Sequence, residues 1–214
     1  MIGGGGVGWV GDRMLFDASP AGRPRTIGRI HGCSIDVVAL DLWSLQVDLA
    51  IACVRDRDEA SVLLDGLGEL SAGGFGQLRA AEVFRGRPAE TLLLPGVTSI
   101  AAGGALLVGM GVRGSLASVR RAAHMAAMQA QRLGCRRVAS DCDGELWHAD
   151  RDASALMTAA LVGIAGILEA EGGRTERWTF VGRIERIDHF VERFRFAFRR
   201  ARAMMREPRS WEQD

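Results

Sequence analysis

Neither lysine nor tyrosine occurs among the 214 residues. All 27 basic residues are therefore arginine, which is a compositional bias more than a chemical signature. They meet 26 acidic residues for a net charge of +1, so no global field draws the chain to nucleic acid. Uncharged apolar runs stay below the roughly 20 residues a membrane helix needs, and no membrane span is expected. The longest, Ala153 to Leu168, is interrupted by Ser154, Thr158, Gly163 and Gly166 and suits a buried helix. The start, Met1-Ile2-Gly3-Gly4-Gly5-Gly6, has neither the basic region nor the apolar run of a secretory signal. Cys33, Cys53, Cys135 and Cys142 form no CxxC pair, so reduced thiols in a cytoplasm are expected. There is no His-Glu-x-x-His motif and no dense set of ligands, so no metal is expected. His31, His124, His148 and His189 are scattered, none beside a Ser or Cys in a nucleophile motif.

What is present is a globular composition, 48% hydrophobic, long enough for one sizeable core. Residues 1–26 are rich in Gly and Pro and read as a flexible arm, and residues 207–214 read as a tail. The run Gly3-Gly4-Gly5-Gly6-Val7-Gly8 belongs to that arm, since no strand precedes it and no helix follows. Val- and Ile-rich runs predict strands at Ile35 to Leu40 and Val47 to Val54. A strand pair is expected from Arg79 to Phe84 and from Thr91 to Leu94, around Arg85-Gly86-Arg87-Pro88. Ala105 to Val108 is apolar throughout, as in a strand covered on both faces. Ser115 is placed as the N-cap of a helix that runs to Leu133, with Gly134 closing it. Arg136 to Ser140 returns as a strand, Asp152 to Glu171 is a second helix and Trp178 to Val181 a last strand. Ile184 to Met205 is a final helix with an apolar stripe through Ile187, Val191, Phe194, Phe198 and Ala201. Strands that alternate with helices imply an α/β fold with a mixed or mainly parallel sheet.

Two patterns carry a resemblance. Phe84-Arg85-Gly86-Arg87 with Glu90-Thr91-Leu92-Leu93-Leu94-Pro95, then Leu106 to Gly111, then the helix and strand through Ala139, resemble the non-catalytic N-terminal domain of M17 leucyl aminopeptidases. Upstream, Leu40-Asp41-Leu42, Ser44-Leu45 and Val47-Asp48-Leu49-Ala50-Ile51 resemble the opening of a macro domain. These families share a fold type. The resemblance therefore implies a three-layer αβα macro-like domain over residues 27–206 with a mixed, mainly parallel sheet. In M17 enzymes a separate C-terminal domain cuts peptides with two metals held by Asp, Glu and Lys. A chain without lysine is not expected to do so.

Macro domains bind ADP-ribose at the carboxyl ends of their strands, where helix N-termini and bare glycine amides cradle the phosphates. By position, Asp41 matches the acid that meets the adenine amino group; the same residue could simply cap a turn. Gly73, Gly74 and Gly76 lie where one phosphate loop would sit. Gly109, Gly111, Arg113 and Ser115 form a strand-to-helix turn able to hold an anion, or merely to pack tightly. The loop after Arg136 to Ala139 carries Asp141, Asp143 and Glu145, which would repel a diphosphate.

The last helix carries Arg195, Arg199, Arg200 and Arg202 on its polar side, a solvated face or a seat for an acidic partner or nucleic acid. The expected function is a non-enzymatic binding or assembly module, a regulatory partner of a separate protein or of its own copies, with no cofactor. An ADP-ribose-like nucleotide is the alternative ligand. Nucleic acid is a further alternative, set against the near-neutral charge.

Overall fold

The computed structural model describes residues 22–56, 77–78, 80–112, 115–141, 153–182 and 187–206. Period-two alternation sets the strands. In β2 (Cys33–Val38), Cys33, Ile35 and Val37 point to one core, while Val38 points to another. In β3 (Leu49–Arg55), Leu49 and Ile51 alternate with Ala50, Ala52 and Val54 in the same way. Together with β1 (Arg25–Ile30), β4 (Thr91–Pro95), β5 (Gly104–Gly111), β6 (Arg137–Asp141) and β7 (Arg177–Val181), they form one seven-stranded sheet in the order β1-β2-β7-β6-β3-β5-β4. The five inner strands are parallel, and β1 and β4 are antiparallel edges. β5 is buried along its whole length, as an inner parallel strand should be.

Three helices cover one face: α1 (Leu116–Arg132), α2 (Ala153–Ala170) and α3 (Ile187–Arg206). Ser115 caps α1, its Oγ accepting the Ser118 N–H, and Gly134 follows the helix with φ +70°. α2 lies between α1 and α3 and is apolar on nearly every side for that reason. By length and composition it could cross a membrane, but its burial between neighbours marks it as a core helix. Phe180, Phe194 and Phe190 stack in sequence where α3 meets the sheet, with ring centroids 4.6 and 5.0 Å apart. On the other face a smaller core holds Leu42, Trp43, Phe84, Ala102 and Leu107. Among the described residues its cover is a 3-10 turn at Leu42–Ser44 and the segments around Phe84 and Ala102.

Two expectations need correction. β1 begins at Arg25, inside the segment expected to be an arm; residues 1–21 lie outside the described ones. Among the described residues, 80–84 form no strand. Gln77, Leu78 and Ala80 are helical, and the Leu78 carbonyl accepts the N–H groups of Val83 and Phe84. Glu82 takes φ +59° there and Phe84 drops, fully buried, into the second core. β4 therefore pairs with β5 instead.

Candidate functional site

The five parallel strands end on one side of the sheet, where α/β proteins place their ligands. Asp41 follows β2, Asp56 follows β3, Val112 follows β5, Asp141 closes β6 and Gly182 follows β7. Residues 57–76, 113–114, 142–152 and 183–186 continue from four of these ends and lie outside the described residues. Gly73, Gly74, Gly76, Arg113, Asp143 and Glu145 fall among them.

Asp41 is exposed and extended, with φ −72° and ψ 135°. Its carbonyl accepts the Ser44 N–H at 3.2 Å and the Ser44 hydroxyl at 2.7 Å. The turn is thus closed by backbone, and the Asp41 carboxylate caps nothing. Asp141 is nearly buried, at 9% exposure. Burial, and then the charge of Asp141, push the Cys53 thiol up to about 12. Cys33 also rises to about 12, through burial and then Asp36. Both thiols are protonated near neutral pH and are poor nucleophiles.

Gly109 and Gly111 are held by their own chain. The Gly109 N–H donates to the Glu90 carbonyl at 2.8 Å, and the Gly111 N–H donates to the Gly86 carbonyl at 2.8 Å. A Cβ on Gly109 would stand 2.0 Å from the Arg87 oxygen. At Gly111, φ is +74° and a Cβ would stand 2.7 Å from the Pro88 ring. Segment 85–90 therefore lies across the end of β5. The Ser115 oxygen serves as the cap of α1.

Two carboxylates that the sequence reading gave no role hold this scaffold. Glu90 Oε2 accepts the Arg85 and Arg87 N–H groups, each at 2.9 Å, and so shapes the segment over Gly109. Asp48 Oδ2 accepts the Arg136 and Arg137 N–H groups at 2.7 and 2.8 Å, joining the starts of β3 and β6. Glu90 three residues after Arg87 was a legible local signal. Nothing in the sequence connects residue 48 with residue 136.

On α3, Arg195 pairs with Glu192 at 3.6 Å, and Asp188 pairs with Arg25. Arg199, Arg200 and Arg202 are exposed, with no carboxylate partner among the described residues. Phe196 and Met204 are exposed on the same helix, at 52% and 43%. Beside Phe196, an open hollow of roughly 260 Å³ is lined by Ser154, His189, Glu192 and Arg193. That is below the ~300–1,000 Å³ of ordinary small-molecule sites. No group of metal-ligating side chains occurs among the described residues.

The sequence matches no protein-family model and no curated protein. Solved structures do match. A mutant of tomato leucine aminopeptidase superposes with a TM-score of 0.60 at 20% identity, over 88% of this chain and 40% of that one. A Trypanosoma brucei macrodomain in complex with ADP-ribose gives 0.56 at 21%, over 77% and 68%. The fold is macrodomain-like. An Oceanobacillus iheyensis macrodomain with ADP agrees, at 0.59 and 10% identity, over 85% of this chain and 97% of its own. The chain spans less than half of the aminopeptidase, and at these identities the likeness is one of fold. Both an aminopeptidase and macrodomains are thus among the structures this chain resembles in fold.

Proposed function

We propose that this macrodomain-like chain is a non-enzymatic binding module that holds a protein partner and regulates or assembles it. One observation carries the reading. The amides of Gly109 and Gly111, where bare N–H groups would be needed for a phosphate, already donate to Glu90 and Gly86. The carboxylates of Asp56 and Asp141 at the same end of the sheet add repulsion. At an effective dielectric of about 20, a charge pair at 4 Å contributes about 4 kcal/mol. The outer side of α3, with its exposed Phe196 and unneutralised Arg199, Arg200 and Arg202, is the partner face in this reading. A cytoplasmic setting belongs to the same proposal and fits the free thiols of Cys33, Cys53 and Cys135.

A second reading is a nucleotide site. It is favoured by the exposed, uncommitted carboxylate of Asp41 and by fold neighbours solved with ADP and ADP-ribose. A thermal-shift screen with ADP-ribose, NAD and divalent cations separates the two. A ligand at about 100 times its dissociation constant adds about 2.7 kcal/mol to stability. The binding-module reading expects no shift. A clear shift with ADP-ribose that is lost in Asp41→Ala would replace it with the nucleotide reading.

A further inference from the structure

The two edges of the sheet are built differently. β1 carries Arg25 and Arg29 and is irregular between Thr26 and Gly28. Charge and a bulge are the usual ways in which an edge strand avoids pairing with another chain. β4 has neither, and its one protective feature is the terminal Pro95: it reads Thr91-Leu92-Leu93-Leu94-Pro95, and residues 91–112 contain no charged side chain. The nearest charge, Glu90, is turned inward onto the amides of Arg85 and Arg87. Leu93 is 39% exposed although it lies in a strand.

Backbone phase shows what that edge offers. The Gly109 N–H donates to the Glu90 carbonyl, so residues 90, 92 and 94 direct their polar backbone toward β5. Thr91 and Leu93 then direct theirs outward, and no described residue bonds to them there. We propose that β4 pairs antiparallel with β4 of a second copy of this chain about a two-fold axis at Leu93, making one continuous sheet. In that register Leu93 exchanges both N–H···O=C bonds with its own copy. The Thr91 N–H meets the Pro95 carbonyl of the other chain, while the Thr91 carbonyl gains no bond because Pro95 has no N–H, so each outer pair keeps one bond of two. Leu92 faces Leu94 of the copy on one side of the sheet, and Leu93 faces Leu93 on the other. The strand is self-complementary, as a two-fold interface must be. This inference rests on the edge alone and is independent of the ligand.

The test is sedimentation of the full chain over a range of concentrations, together with cysteine cross-linking. The wild type is expected to form a dimer, and Leu93→Asp, which sets two carboxylates against each other, is expected to be monomeric. Under mild oxidation Leu93→Cys should form a covalent dimer, because paired Cα atoms of this kind lie about 5.5 Å apart. Thr91→Cys should not, since its two copies would lie about 14 Å apart at roughly 3.4 Å per residue. Circular dichroism of each variant checks that it is folded. A wild-type chain that stays monomeric at every concentration overturns the proposal. So does Thr91→Cys cross-linking as readily as Leu93→Cys.

Discussion

At Gly109 the missing side chain is a packing requirement, because the Arg87 carbonyl occupies the place a Cβ would take. Gly109→Ala must push segment 85–90 off the end of β5. We expect a loss of about 1–3 kcal/mol, read as a lower urea midpoint. Asp48→Ala should lose about 1.5–3 kcal/mol, because it leaves the Arg136 and Arg137 amides without their charged acceptor. The buried thiols set an alkaline limit. Unfolded cysteine ionises near 9.0, whereas Cys33 and Cys53 in the folded chain do so only near 12. Between these values the unfolded state releases protons that the folded state keeps, so stability falls as pH rises from about 9 toward 12. Cys33→Ser/Cys53→Ser should flatten that fall in a pH series of thermal melts, although the variant will be less stable overall. At this scale the sequence was partly legible. Ser115 and Gly134 announced the ends of α1, since capping chemistry is local. The anchoring role of Asp48 was not legible, since its partners lie 88 and 89 positions away.

Two glycines of α2 show how an element's setting decides the effect of one methyl group. A Cβ on Gly163 would stand 2.4 Å from the Arg120 carbonyl of α1, whereas a Cβ on Gly166 would meet no described residue beyond its own turn of helix within 4 Å. Gly163→Ala should part the two helices and destabilise by about 1–3 kcal/mol. Gly166→Ala should stabilise by up to about 1 kcal/mol, because alanine restricts the unfolded chain and favours helix. Opposite shifts in melting temperature are the expected result. Period and composition predicted α1, α2, α3 and the inner strands to within a few residues, since each carries a long apolar signature. Edge strand β4 was placed at Thr91 to Leu94 with the wrong partner, whereas edge strand β1 resisted prediction. β1 is half polar and contains Gly28, whose bare Cα receives the Phe198 ring of α3, so its glycine signals contact with a distant helix and not a loop. The strand expected to end at Phe84 gave way to a tight turn in which Phe84 is buried.

For the whole molecule, the macrodomain-like sheet brings its strand ends together, yet much of the chain that continues from them lies outside the described residues. What is described at that end serves the fold: Gly109 and Gly111 are covered by residues 86–88, and Ser115 is a helix cap. Charge reversal on α3 should separate this end from the partner face. Arg199→Glu/Arg200→Glu is expected to leave the unfolding free energy within about 0.5 kcal/mol of wild type, since both residues are exposed surface positions. It is also expected to abolish capture of a partner. Affinity that falls steeply with salt and tracks these arginines on a DNA duplex would instead indicate nucleic acid. The fold class was legible because strands alternating with helices imply an α/β sheet, although the strand order was not. The ligand was not, because whether a glycine amide is open or spent depends on a segment folded over it. Hydrogen exchange of the Gly109 and Gly111 amides, with and without saturating ADP-ribose, measures that directly. We predict that both are as protected as the rest of β5 in the free protein and unchanged by the nucleotide. Fast exchange in the free protein that becomes slow with ADP-ribose would contradict the account.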